Sequence, residues 1–124
     1  MALRVLIVDD ADMYRLILQE MVREMGHEPV GEAETGEQAL ERFKALKPDL
    51  VTLDLSLPDM DGFAVLREIR RANPRANVVM ISGNDQDRIV AQARTLGALG
   101  LLVKPVDQAK LAALLRLLDG GKRP

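Results

Sequence analysis

The chain contains no cysteine and no tryptophan, and its only aromatic residues are one tyrosine and two phenylalanines. Without thiols it has no disulfide, no thiolate zinc site and no cysteine nucleophile. Aromatics are 2% of residues and hydrophobics 48%, so the core must be aliphatic, built from Val, Ile, Leu, Ala and Met. Stacking on nucleic-acid bases is correspondingly disfavoured. An excess of positive charge is also missing: seventeen basic residues stand against nineteen acidic, for a formal charge of -2. That balance supplies no basic face for a phosphate backbone, and no direct nucleic-acid binding is expected. Long hydrophobic runs are absent too. The apolar run after Arg4 is too short for a signal peptide or a membrane span, so a cytoplasmic location without membrane insertion is expected. A length of 124 residues fits one domain, with no internal repeat, low-complexity segment or linker.

What the sequence does contain is an alternation of strand and helix patterns from end to end. That order predicts an α/β sheet with helices on both faces. Asp12 is placed to cap a first helix with Ile17, Met21 and Met25 on one side, ending at Gly26. A short strand follows near Pro29 to Ala33. Thr35 and Gln38 have capping-box spacing and open a helix through Ala39, Leu40 and Phe43 that stops before Lys47-Pro48. Gly62 starts another, with Phe63, Leu66 and Ile69 along one face and Asn73-Pro74 as its end. Asp87 to Leu96 form the fourth, with Ile89 and Ala93 inward and Gly97 as C-terminal cap. Leu111, Leu114, Leu115 and Leu118 mark the last, and residues 120–124 read as a flexible tail.

Four apolar runs each stop at a residue suited to phosphate chemistry. Val5-Leu6-Ile7-Val8 stops at Asp9-Asp10, and Leu50-Val51-Thr52-Leu53 stops at Asp54. Val78-Val79-Met80-Ile81 stops at Ser82, and Leu101-Leu102-Val103 at Lys104-Pro105. Runs that short are strands buried on both faces, and in an open parallel sheet ligands gather where the strand ends converge. Three carboxylates, a hydroxyl and an ammonium would share one crevice. Two unit charges about 4 Å apart interact by roughly 4 kcal/mol at an effective dielectric of about 20, so three carboxylates need positive partners. Lys104 and one divalent cation would bring the cluster to zero, and oxygen-only ligands favour Mg²⁺ or Mn²⁺ over zinc.

In identity, order and context these residues, with Pro58 and Asp61-Gly62 beyond the lone Asp, resemble the receiver domain of bacterial two-component response regulators. Among receivers the chain is most similar to the stand-alone chemotaxis type. The resemblance covers residues 1–119 and implies a flavodoxin-like, doubly wound five-stranded parallel sheet of order 2-1-3-4-5 with five helices. It implies that Asp54 accepts a phosphoryl group from a sensor histidine kinase. It also implies that Asp10, Asp54 and the main chain of Ser56 ligate the metal, with Asp9 acting through water. Lys104 would pair with the phosphoryl group, Ser82 would donate a hydrogen bond to it, and a cis peptide before Pro105 would aim the lysine inward.

Output in the family passes from the Ser82-type hydroxyl to an aromatic in the fifth strand, where this chain has Leu101. That departure predicts a weaker or differently gated switch. Phosphate lifetime would be tuned by Ser56 and Asn84, small neutral groups that with Gly83 leave the acyl phosphate open to water. With no output domain expected after Leu118, a monomer signalling by protein docking is expected, for example to a flagellar motor switch component. The alternatives are a phosphorelay intermediate or a receiver from a larger regulator. A different class is a haloacid-dehalogenase-type phosphohydrolase with Asp10 as nucleophile, but there the catalytic lysine precedes the later acids and Asp54 would have no role. Flavin binding is disfavoured because Asp9-Asp10 would repel the cofactor phosphate. His27 is expected in a surface loop, the six methionines as core filler and Tyr14 as packing at the start of helix one. Arg70-Arg71 is expected to be a solvated helix face.

Overall fold

The computed structural model describes residues 2–119, so the tail expected over 120–124 lies outside it. Ten elements alternate along the chain: β1 (Arg4–Val8), α1 (Asp12–Glu24), β2 (Glu28–Ala33), α2 (Gly36–Leu46), β3 (Leu50–Asp54), α3 (Gly62–Ala72), β4 (Val78–Ser82), α4 (Asp87–Thr95), β5 (Gly100–Val103) and α5 (Gln108–Asp119). The strands form one parallel sheet in the order β2-β1-β3-β4-β5. Strand order reverses between β1 and β3, which puts a crevice at their carboxyl ends. Among the described residues, no helix is long and apolar enough to cross a membrane.

Alternate residues of each strand feed two aliphatic layers. Val5, Ile7, Leu50, Val79, Ile81 and Leu102 pack with Leu18 and Val22 of α1 and Leu111 and Leu115 of α5. Leu6, Val8, Val51, Leu53, Val78 and Met80 pack on the other side with α2, α3 and α4 through Phe43, Leu66, Ile69 and Ala93. Thr52 sits wholly buried in β3, and its hydroxyl has no hydrogen-bond partner. An unpaired buried hydroxyl costs about 1–3 kcal/mol, and valine preserves the branched shape. Thr52→Val is therefore expected to stabilise the fold by about 1 kcal/mol and raise the thermal midpoint by roughly 4 °C, read by calorimetry. A lower midpoint would mean that the hydroxyl is bonded in solution.

Helix ends follow the local chemistry with one correction. Thr35 accepts from Gln38 N at 3.1 Å, while Gln38 Oε1 reaches back to Glu34 N at 3.0 Å, one residue earlier than a strict capping box. Asp61 caps α3 by accepting from Phe63 N at 2.7 Å. Gly97 follows α4 at φ +92°, in the left-handed region. Asp12, however, is not a cap. The N-cap of α1 is Ala11, with no side-chain hydrogen bond, and Asp12 is the first helical residue, paired with Arg15.

The buried stripe of α1 also differs from expectation. Arg15, Leu18 and Val22 are buried, Met21 and Met25 are half-buried, and Ile17 is exposed. Because successive residues turn by about 100°, the true stripe is one residue out of phase with the expected one. Not every methionine is filler: Met80 is fully buried, but Met13 is 67% exposed. Arg70 is not merely solvated, since its Nη1 donates to Ala76 O at 2.9 Å, whereas exposed Arg71 pairs with Glu68. His27 lies in the α1–β2 loop as expected, half-buried, where its Nδ1 accepts from Leu3 N at 3.0 Å.

Candidate functional site

Each strand end delivers one part of the site. Asp9 follows β1 and is held from several directions: its N–H donates to Ala33 O at 3.0 Å, and its Oδ1 accepts from Ala11 N at 2.8 Å. Its carbonyl accepts from Arg15 Nη1 at 2.6 Å. Asp9 is buried and Asp10 is exposed, so two adjacent acids occupy different environments. Asp54 ends β3, and its Oδ1 accepts from Ser56 N at 3.3 Å. The chain then folds back through a Ser56–Asp61 bridge to start α3 at Gly62. A Cβ at Gly62 would lie 2.5 Å from Asp54 O, so only glycine permits this close approach.

On the far side of the crevice, Ser82 ends β4, buried, with Oγ accepting from Asn84 N at 3.2 Å. Lys104 follows β5, tied by its N–H to Ser82 O at 2.9 Å, and the Lys104-Pro105 peptide is cis. Its Nζ lies 2.9 Å from Asp9 Oδ2 and donates to Asp54 Oδ2 at 3.3 Å. One carboxylate oxygen from each of Asp9, Asp10 and Asp54 lies within 4.8 Å of the others. The Asp54 side chain is only 6% exposed, but Lys104 beside it is 23% exposed and Asp10 lies open. Asp54 thus forms the floor of a cleft rather than an interior group.

Burial pushes the Asp54 carboxyl above its ordinary value, and the nearby Asp9 charge pushes it further, against the pull of Lys104. Burial alone would lower Lys104, but its close ion pair with Asp9 and the charge of Asp54, to which it also donates, outweigh that and raise it. The ammonium therefore stays charged at neutral pH. Three carboxylates against one ammonium leave a local excess of negative charge, and Asp9 Oδ2 receives no aligned hydrogen bond. A hard divalent cation with oxygen ligands fits both features.

The remaining expected site residues are placed as follows. Ser56 is exposed beside Asp54. Asn84 is exposed, with its Oδ1 accepting from Gln86 N at 3.2 Å. Leu101 pairs with Met80 in the sheet and packs half-buried on the α2–α3–α4 side. Two residues in the first turn of α1 were not anticipated as parts of the site. Arg15 binds the Asp9 carbonyl and is itself held by Asp12 and by Glu32 at 2.6 Å. Tyr14 places its ring centroid 4.3 Å from Lys104 Nζ. The sequence signal for Arg15 was a cation in phase with Leu18 and Val22; for Tyr14 it was only the rarity of aromatics.

The chain is similar to known proteins over nearly its whole length. The profile of the response regulator receiver domain matches residues 5–116. The chain is 38% identical over 115 residues to the chemotaxis protein CheY of Thermotoga maritima, covering 93% of this chain and 96% of that protein. It is 43% identical over 105 residues to CheY of Bacillus subtilis, covering 85% and 88%. A chain in the crystal structure of the CheX-CheY-BeF3-Mg²⁺ complex from Borrelia burgdorferi superposes with a TM-score of 0.87 at 33% identity, covering 90% of this chain and 85% of that one. Nothing in these matches favours the phosphohydrolase alternative. A family profile and whole-length relatives of this extent establish kinship: the chain belongs to the response regulator receiver family.

Proposed function

We propose that the protein is a phosphoacceptor that takes a phosphoryl group from a sensor histidine kinase onto Asp54 and signals by docking to another protein, in chemotaxis or motility. The observation that carries this reading is the single amine of Lys104 lying between Asp9 and Asp54 with Asp10 in the same cluster. An Asp54 oxygen attacks phosphorus in line, the bond from phosphorus to the donor breaks, and the leaving group departs with that electron pair. The product is an aspartyl phosphate. Lys104 pairs with the phosphoryl oxygens as a point charge, and the Ser82 hydroxyl, whose oxygen accepts from Asn84 N, is free to donate its proton to them. Asp10, Asp54 and the Ser56 carbonyl, with Asp9 through water, would hold Mg²⁺ or Mn²⁺, which when bound neutralises phosphoryl oxygens and aligns donor with acceptor. The presence of BeF3 and Mg²⁺ in the related Borrelia burgdorferi complex supports the assignment.

Recognition surfaces follow from exposure. Met13, Leu16 and Ile17 on α1 and Leu117 on α5 are large apolar side chains left in solvent, suited to meeting kinase helices. Output passes through the face of α4, β5 and α5, where Leu101 offers only a change of rotamer and no phenol hydroxyl to report the state. A flagellar motor switch component is the proposed target. Phosphate back-transfer to a histidine phosphotransfer protein, with no motor-switch binding, would instead mark a relay intermediate.

The test is incubation with acetyl phosphate and Mg²⁺. One labile phosphate per chain is expected, absent from Asp54→Asn. Many turnovers, with loss in Asp10→Asn and retention in Asp54→Asn, would overturn the reading in favour of a hydrolase. The same sample carries a second prediction. Ser56, Asn84 and Gly83 are small and exposed, so water can reach the acyl phosphate, and the label should decay without added phosphatase. A phosphoprotein that lasts for days would contradict it.

A further inference from the structure

Tyr14 is the only tyrosine in a chain with no tryptophan, and its ring lies 4.3 Å from the one ammonium of the site. It is half-buried in the first turn of α1 and packs on the α1–α5 side of the sheet. Its neighbour Arg15 pins that turn to the Asp9 carbonyl, so the ring is held by the same contact that holds the acid pair. Among the described residues the Lys104 ammonium accordingly meets three groups: Asp9 Oδ2 at 2.9 Å, Asp54 Oδ2 at 3.3 Å and the Tyr14 ring.

We propose that Tyr14 is a positioning residue for Lys104, holding the ammonium at the acid cluster through the face of its ring. The need for such a group is physical. Lysine ends a long stem with many rotamers to lose, and an ammonium without a fixed partner spends its time in water. A further carboxylate would hold it, but would also repel the anionic phosphoryl donor from a cluster already rich in negative charge. An aromatic face attracts a cation through its quadrupole and adds no net charge. When Asp54 becomes an acyl phosphate its carboxylate charge is lost, and with it the pull that this group exerts on Lys104. The ring is unchanged, so the ammonium remains poised beside the new phosphoryl oxygens.

This inference rests on the assignment of Asp54 as phosphoacceptor, and the test separates the two. Initial rates of Asp54 phosphorylation by acetyl phosphate with Mg²⁺ are measured for the unmodified chain, Tyr14→Phe, Tyr14→Leu, Lys104→Met and the Tyr14→Leu/Lys104→Met double variant. Tyr14→Leu keeps apolar bulk but loses the quadrupole, and should slow the reaction by roughly two- to fivefold, whereas Tyr14→Phe should keep the rate. In the Lys104→Met background, Tyr14→Leu should change nothing further. Equal slowing in both backgrounds would make Tyr14 a packing residue only, and no slowing with Lys104 present would remove its role; either result overturns the inference. Thermal melting checks that each variant folds, and Tyr14→Met replaces Tyr14→Leu if the latter does not. Failure of the unmodified chain to acquire a phosphate at Asp54 would overturn both the assignment and the inference built on it.

Discussion

Lys104→Met is expected to slow phosphorylation of Asp54 by about 10²–10³-fold, the usual cost of removing one preorganised charge from a site where charge develops. The ammonium is 2.9 Å from Asp9 Oδ2 and donates to Asp54 Oδ2 at 3.3 Å, so no other cation among the described contacts can take its place. Arg15, the nearest in sequence to the acid pair, is fully engaged by Asp9 O, Asp12 and Glu32. Lys104→Arg should rescue little, because a planar guanidinium needs a fork-shaped opening where the ammonium needs only a point. Rates from acetyl phosphate at saturating Mg²⁺, with folding checked by melting, decide the matter. A loss below tenfold would show that Lys104 neutralises the resting carboxylates without stabilising the transferring group.

Asp54→Asn, which removes the proposed phosphoacceptor, is expected to make the metal-free protein more stable at neutral pH. Burial and the Asp9 charge raise the Asp54 carboxyl above its ordinary value, so the folded state holds that proton more tightly than the unfolded chain does. As pH rises through this window the folded state binds more protons than the unfolded one, and stability falls. The ionised group therefore costs most above its raised folded value and nothing below the ordinary carboxylate range. Asparagine removes that cost. A gain of about 0.5–2 kcal/mol is expected at neutral pH, raising the thermal midpoint by roughly 2 to 8 °C. The gain should shrink as the pH is lowered toward about 4, the ordinary carboxylate value. Mg²⁺ should narrow the difference from the other side, since a ligand at about 100 times its Kd stabilises the chain that binds it by about 2.7 kcal/mol. Melting curves with EDTA and with Mg²⁺ across pH read all three effects. An Asp54→Asn protein less stable than the parent in EDTA would show that the Lys104 pair outweighs burial and repulsion.

Both expectations depend on residues that were legible as strand ends. Short Val-, Ile- and Leu-rich runs stopping at Asp9, Asp54, Ser82 and Lys104 marked four strands, because such runs can bury both faces only inside a covered parallel sheet. The ends of α2 and α4 were legible for a similarly local reason. A Thr at the N-cap and a Gly after the last turn satisfy backbone groups within a few residues. The face of α1 was not legible. Met13, Leu16, Ile17, Leu18, Met21 and Val22 offer more apolar surface than one side of a helix, and periodicity alone cannot choose between stripes about 100° apart. The choice is made by packing on β1 and β2, with Arg15 turned to the Asp9 carbonyl.

Residue order alone determined the alternation of strand and helix, the aliphatic core, and the type of group presented at each strand end, because those follow from periods of two and 3.6 residues and from short-range capping. Tertiary structure decided the rest: that Asp9 is buried while Asp10 is open, that Lys104 sits between Asp9 and Asp54, and that Tyr14 faces the ammonium. Those contacts join β1, β3 and β5 and the first turn of α1. They are set by the strand order and by which side of α1 meets the sheet, neither of which any local run of residues encodes.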